Sequence, residues 1–371
     1  METKSMLQIV SGFKPSVDGM GDFSRRLGAA LWKQDSIRSH FLVYHRPGTP
    51  LNLEEIQPNT LSYPAEPTAS SFREHLSQLR SERKFDCVLM HYGPYAYPRD
   101  GRPAAFTEVI EELAQSARLL VFLHEICAGG MPWKKAFWTR REQQASASTL
   151  LRIADVAFTS NPLYLLWARP LNSTGREIIQ VPIFSNIGEP EGLRPLAQRT
   201  RRLVIFGQLV TRLRLYKDWR KTLEEVCRKL RIETIVDVGS GESPQIPTEI
   251  LGVKVVRSGW MEEEQLSELM ADSIAGIIGY WPDVWQKSGV IAAYQAHALV
   301  PIMVEVERRS LPKPAFLPFI SPQDVSRLPT EAGTVTNASL QAIADAAHDQ
   351  YTRNQSVSHC AEVIARYAFP G

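Results

Sequence analysis

Short apolar runs alternate with amphipathic stretches along nearly the whole chain. In the first half, Met6–Val10, His40–Tyr44, Asp86–His91, Leu119–His124, Val156–Ser160 and Ile178–Val181 each have strand length. Between them, Phe23, Leu27 and Leu31 recur at i, i+4 and i+8, and Phe106, Val109, Ile110 and Leu113 form a second stripe at helical spacing. Continuous apolar strands separated by helices predict a parallel sheet covered on both faces. The second half repeats the scheme, with strands at Leu203–Phe206, Ile235–Val238, Val253–Val256, Ile274–Ile278 and Val300–Val304. Its helices are marked by Trp219, Leu223, Val226 and Leu230, by Leu266, Leu269 and Met270, and by a stretch from about Lys287 to His297. Two further helical stretches close the chain, the last holding Val357, Cys360, Ile364 and Tyr367.

The repeat defines an α/β fold class: two Rossmann-like, doubly wound parallel-sheet domains facing across a cleft. A length of 371 residues exceeds what one core usually supports, which also favours two domains. The aperiodic segment from Phe184 to Pro195, followed by the basic run Arg199, Arg201 and Arg202, marks the boundary. It assigns residues 1–184 to a first domain and 185–355 to a second. The last helix, 356–371, is free to cross back to the first domain.

Composition narrows the function classes. An apolar fraction of 44% with 22% charged residues describes an ordinary globular chain. The formal net charge of +2 gives no global attraction to nucleic acid, so no nucleic-acid partner is expected. The longest apolar runs, such as Leu119–Leu123, are too short to span a bilayer, and the N-terminus lacks a signal-peptide pattern. Cys87, Cys127, Cys227 and Cys360 are scattered without metal spacing, and Cys87 and Cys227 sit inside apolar patterns that bury them. The cytoplasm is the expected compartment, and the sequons at Asn172, Asn337 and Asn354 read as chance matches.

In doubly wound sheets, ligands sit outside the carboxyl ends of the strands, so the loops there are the candidate sites. The first strand runs into Ser11 through Asp22, where Gly19 and Gly21 precede a helix. Glycines at a helix start let backbone amides approach an anion, although a plain loop with Asp22 as N-cap fits the same residues. The dinucleotide fingerprint fails at Ser24, and Gly239-Ser-Gly241 fails at Pro244, which disfavours an NAD enzyme. His91 and His124 each end a buried strand; such residues are either satisfied core histidines or a lining of the cleft. His124 with Glu125 would make an acid/base pair only if both face the ligand. After Phe206-Gly207-Gln208, the residues Arg212, Arg214 and Lys217 fall within one loop, either as a diphosphate site or as a solvated basic stretch. Gly279 to Gly289 mixes aromatics with Lys287 before a helix. Trp133 to Arg141 mixes aromatics with cations, as suits either an anionic membrane surface or a half-buried helix beside an acceptor. No Asp-x-Asp, His/Cys cluster or Walker A sequence occurs, so no metal is expected.

The Gly19-Met-Gly21-Asp loop and the basic stretch after Gly207 resemble the GT-B glycosyltransferases, in particular the retaining, glycogen-synthase-like group. So do Val255 to Leu266 and the segment from Ala296 to Pro301. The resemblance implies transfer of a hexose from a nucleotide diphosphate sugar to a hydroxyl of a saccharide or lipid-linked acceptor. It implies retention of configuration and neither cofactor nor metal. By the same resemblance His124, Arg212 and Lys217 are catalytic, His124 bordering the donor sugar. Gly19, Gly21, Arg214, Gly259, Trp260, Gln286, Lys287, Ser288, Gly289 and Tyr294 would bind the donor. The family's Glu-x7-Glu pair falls on Gln286 and Tyr294, neither a carboxylate, and Gln208 replaces the family's arginine after Gly207. Those departures keep a catalytically silent scaffold as the alternative, with an NAD or nucleotide-sugar-modifying enzyme third. Peripheral contact with the inner face of a membrane suits a lipid-linked acceptor.

Overall fold

The computed structural model describes residues 4–13, 19–44, 60–63, 68–97, 100–129, 131–306, 311–312, 317–331 and 333–370. In chain order these form β1 (Ser5–Val10), α1 (Gly19–Asp35), β2 (Arg38–Tyr44), β3 (Thr60–Tyr63), α2 (Ala69–Glu82), β4 (Cys87–Tyr92), α3 (Ala104–Ala114), β5 (Leu119–Leu123), α4 (Lys135–Ile153), β6 (Val156–Thr159), α5 (Pro162–Ala168) and β7 (Ile178–Gln180). There follow β8 (Thr200–Phe206), α6 (Leu209–Lys217), α7 (Arg220–Leu230), β9 (Thr234–Val238), β10 (Glu249–Ile250), β11 (Val253–Gly259), α8 (Glu263–Ala271), β12 (Ser273–Tyr280) and α9 (Gly289–Ala296). The chain ends with β13 (Val300–Glu305), α10 (Pro322–Arg327), β14 (Thr330–Glu331), β15 (Thr334–Val335), α11 (Asn337–Asn354) and α12 (Val357–Ala368). The chain divides into two compact units, one of Met1–Pro182 with Val357–Gly371, the other of Ile183–Ser356.

The first unit holds a seven-stranded sheet in the order β3-β2-β1-β4-β5-β6-β7, parallel throughout. β4 and β5 are buried from end to end, and β1 from Met6 onward, as a sheet covered on both faces requires. Phe23, Leu27 and Leu31 turn one stripe of α1 onto the sheet, and Phe106, Val109, Ile110 and Leu113 do the same for α3. Helix α12 packs against α1, and Arg118 donates to the Tyr367 carbonyl at 2.9 Å, so the last helix belongs to this unit.

The second unit holds a six-stranded sheet ordered β10-β11-β9-β8-β12-β13, in which only β10 runs antiparallel. Alternation along the strands splits its core into two layers. Leu203, Ile205 and Ile277 face α7, α10 and α11, while Val204, Val236 and Ile278 face α8 and α9. Strand β8 starts at Thr200, earlier than its apolar run, because Arg199 is not solvated. Its buried guanidinium donates to the carbonyls of Arg194, Ser273, His297 and Ala298 and ties the start of the strand to its neighbours. Strands β3 and β10 carry no long apolar run, being four and two residues long. Cys87 and Cys227 are buried in the two cores, where desolvation pushes each thiol up to about 12.

Candidate functional site

In the second sheet the connection order reverses between β8 and β12, the position where parallel sheets bind ligands outside the strand ends. There Gly207, at the end of β8, lies against the first turn of α9; a Cβ on Gly207 would stand 3.7 Å from Cγ2 of Val290. Gly239, after β9, has φ +144°, and a Cβ on it would lie 2.2 Å from the Gly207 carbonyl oxygen. The two loops therefore touch backbone to backbone, an approach that only glycine permits. The Gly239 amide in turn donates to the Gly259 carbonyl at 2.8 Å, which adds the loop after β11.

Arg212 binds these loops from beneath. It forms an ion pair with the Asp237 carboxylate, and its remaining donors reach the carbonyls of Gly207 (2.9 Å), Gly239 (3.1 Å), Ser240 (2.8 Å) and Gly241 (3.0 Å). Tyr216 donates to the other Asp237 oxygen at 2.9 Å. Burial raises the Asp237 carboxyl above its ordinary value, against the pull of Arg212 and Tyr216. In a planar trans peptide the carbonyl of one residue and the amide of the next point in opposite directions. With four carbonyls drawn to the guanidinium, the amides of Gln208, Ser240, Gly241 and Glu242 point away from it.

This geometry corrects two sequence expectations. Arg212, Arg214 and Lys217 do not lie in a loop; they belong to α6, which crosses the end of β12, with Leu215 Cδ2 3.9 Å from where a Cβ on Gly279 would be. Arg212 is 1% exposed and its donors are engaged, so it organises backbone and presents no charge to a diphosphate. Arg214 and Lys217, three residues apart on the opposite face of α6, are exposed.

The remaining second-unit residues separate in the same way. Trp260 follows Gly259 (φ +65°) and stands 57% exposed. Gln286 and Lys287 are half-buried in a 3-10 helix, Pro282–Lys287, and the Gln286 carbonyl accepts from the Ile183 amide at 2.8 Å. Ser288 caps α9 by accepting from the Ile291 amide at 3.2 Å, and Gly289 leaves room for the Asn186 side chain, 3.1 Å from its would-be Cβ. Tyr294 is the second correction among donor residues: it is fully buried. A Cβ on Gly276 would come within 2.6 Å of its ring, and its hydroxyl donates to the Val204 (3.2 Å) and Ile277 (3.3 Å) carbonyls and accepts from the Phe206 amide at 3.1 Å. That hydroxyl serves the sheet and not a ligand.

In the first sheet the order reverses between β1 and β4. Helix α1 begins at Gly19, so Asp22 lies in its first turn and is not the residue before the helix. Residues 14–18 of the preceding loop lie outside the described residues. Gly21 is a contact residue: a Cβ there would sit 1.9 Å from the Gly12 carbonyl oxygen, so the first turn of α1 rests on the loop after β1. Gly19 has nothing within 4 Å of its would-be Cβ and stands exposed at the helix start.

Beside this turn, the ends of β1, β4 and β5 carry a buried polar relay. Gln8 donates through Nε2 to Ser39 Oγ at 2.8 Å, leaving its Oε1 3.0 Å from His91 Nε2, and His91 Nδ1 lies 3.0 Å from His124 Nε2. A carbonyl oxygen only accepts, so His91 carries its proton on Nε2. Desolvation lowers His91 to about 3, which keeps it neutral with Nδ1 as an acceptor. His124 therefore donates through Nε2–H to His91 Nδ1. Its ring stacks on Phe122 at 4.4 Å and meets Phe23 edge-on at 5.2 Å. Glu125 is half-buried beside it.

Gln8 and Asp237 were absent from the candidates, yet each is a lone polar residue inside an apolar strand, a pattern that calls for a buried partner. Among the described residues, no three His, Cys, Asp or Glu side chains gather as a metal site. The open groove of about 560 Å³ lined by Glu189, Arg194, Gln341, Asp345 and His348 lies at the N-terminal edge of the second sheet, away from the strand ends where ligands bind.

No family model and no curated protein sequence matches the chain. Solved structures do. An alpha-glucosyltransferase (AGT) in complex with UDP matches with 10% identity over 97% of this chain and 98% of that chain, at a TM-score of 0.61. WaaG, a glycosyltransferase involved in lipopolysaccharide biosynthesis, matches with 11% identity over 99% and 100%, at 0.57. A UDP-GlcNAc 2-epimerase from Neisseria meningitidis bound to UDP-GlcNAc matches with 9% identity over 98% and 99%, at 0.56. At such identities the likeness establishes the fold, that of the GT-B proteins, built from two parallel-sheet α/β domains. An alpha-glucosyltransferase of this fold is also solved with UDP-glucose and DNA.

Proposed function

We propose that the chain is a glycosyltransferase that moves a hexose from a nucleotide diphosphate sugar to a hydroxyl acceptor. One observation carries the reading: Arg212 draws four loop carbonyls inward, which by peptide geometry turns the amides of Gln208, Ser240, Gly241 and Glu242 away from it, and Gly207 lies against the first turn of α9. Outward amides at a helix N-terminus are a general anion site and suit a diphosphate. Arg214 and Lys217 add exposed positive charge on α6, and the half-buried Lys287 lies before α9. The exposed Trp260 indole offers a surface for the base.

In this reading, Lys217 and the amides stabilise the departing diphosphate without a metal, and the acceptor hydroxyl attacks from the same face, which retains configuration. Gln286 offers a neutral amide to sugar hydroxyls. UDP is the first nucleotide to try, since the three structures named above are described with UDP, with UDP-GlcNAc or as a glycosyltransferase.

The test is slow hydrolysis of the donor without acceptor, in EDTA. Free nucleotide is expected, and Lys217→Ala is expected to release it at least about tenfold more slowly with its unfolding midpoint unchanged. A silent scaffold would release none. Recovery of the nucleotide sugar with an inverted centre would assign the chain to the epimerases that share the fold.

A further inference from the structure

We propose that the N-terminal tip of α4 docks the protein on an anionic membrane surface. Helix α4 is held to the first unit by one line of residues, Thr139, Gln143, Ser146, Ala147 and Leu150, all buried. Gln143 anchors its N-terminal half by accepting from the Ala128 amide (2.8 Å) and donating to the Gly101 carbonyl (2.9 Å) and Thr139 Oγ1 (3.0 Å). Phe137, Trp138 and Arg141 fall on the opposite side of the helix and point outward.

The tip is unusually apolar for a solvated helix end. Trp133 is 75% exposed and Trp138 72%, with Met131 and Phe137 exposed beside them. Lys134, Lys135, Arg140 and Arg141, all exposed, surround these side chains, and residues 131–141 contain no acidic residue. Exposed apolar groups clustered with one sign of charge mark a binding surface, and the sign selects an anionic partner. Tryptophan sits at the interface level of a bilayer, while lysine and arginine stems cross it to reach lipid phosphates. Apolar burial and attraction to anionic headgroups add in such interfacial binding.

The ring geometry favours lipid over nucleic acid. Trp138 Nε1 donates to the Pro132 carbonyl at 2.8 Å, and its ring stands edge-on to Phe137 at 5.5 Å and 82°. Rings so locked form an apolar wedge rather than a row of open faces on which bases stack. Docking stands on these residues alone. Its consequence, an acceptor hydroxyl drawn from the lipid phase, rests on the transferase reading.

The experiment is flotation of the full chain with vesicles of phosphatidylcholine, with or without about one third phosphatidylglycerol. Binding to the anionic vesicles is expected, at least tenfold stronger than to the neutral ones. Trp133→Ser with Trp138→Ser, and separately Lys134→Gln with Lys135→Gln and Arg141→Gln, are each expected to weaken it at least tenfold while the unfolding midpoint stays put. A chain that stays unbound, or variants that float like the parent, would overturn the proposal. Binding of a single-stranded oligonucleotide through the same residues, without vesicle binding, would overturn it and reassign the surface to nucleic acid. Nucleotide stabilisation measured on the same samples reports on the transferase reading separately, because no tip residue belongs to the donor loops.

Discussion

Arg212 and Asp237 form a buried ion pair that also fixes the backbone of two loops, because the arginine donors left over from the carboxylate take the carbonyls of Gly207, Gly239, Ser240 and Gly241. Removing one partner of such a pair leaves a buried charge without compensation, at a cost of about 3–5 kcal/mol. Arg212→Ala is expected to lose stability on that scale and to abolish nucleotide binding together with it. Denaturant unfolding checks this; a loss under about 1 kcal/mol, the range of an exposed pair, would show that the arginine is not holding the loops.

Two glycines at the start of α1 should respond in opposite ways. Gly21→Val places a Cβ 1.9 Å from the Gly12 carbonyl oxygen and forces the first turn off its loop. A loss of about 2 kcal/mol or more is expected, as for an overpacked core position. Gly19→Ala meets nothing within 4 Å and should be neutral or slightly stabilising. Unfolding midpoints of the two variants settle the order, and the reverse order would contradict the contact.

Tyr294 separates the structural assignment from the one suggested by resemblance. Tyr294→Phe keeps the ring against Gly276 but leaves the Phe206 amide without its hydroxyl acceptor. The expected cost is about 1–3 kcal/mol of stability, with nucleotide affinity unchanged. Weaker nucleotide binding in a variant of undiminished stability would return Tyr294 to the donor site.

The relay predicts a pH dependence whose sign follows from His91. Its folded value is lowered from 6.5 to about 3 by burial, so between those limits the unfolded chain binds a proton that the folded chain refuses. The His91 contribution is complete above pH 6.5 and is lost as pH falls toward 3, at about 1.4 kcal/mol per pH unit. Subtracting the profile of His91→Gln from that of the parent isolates this slope. Parallel profiles would mean that His91 is charged in the fold and that the relay runs otherwise.

The fold was legible because buried parallel strands must be written as continuous apolar runs. Every such run, from Met6–Val10 to Val300–Val304, lies within or overlaps a strand. What escaped was whatever periodicity does not encode. Thr60–Tyr63 is an edge strand too short for a pattern, and the stretch after Gly207 reads as a basic loop because charge gives no hint that Arg212 turns inward on Asp237. Loop glycines were visible as glycines, but contact distances show their separate duties: Gly21 and Gly239 for backbone approach, Gly19 for an open helix start. Spacing alone placed Tyr294 with Gln286; eight residues along, the turn of α9 carries it into the core.

The central claim is that the outward amides beside α9 hold a nucleotide diphosphate. Thermal unfolding with UDP, GDP and ADP in EDTA tests it most directly, because a ligand that binds only the folded state raises the midpoint by mass action. One nucleotide at about a hundred times its dissociation constant should add about 2.7 kcal/mol, a shift of a few degrees. A rise with one of the three, reduced in Lys217→Ala, is the predicted result. No shift with any of them would contradict the donor site and leave a GT-B fold kept as a scaffold.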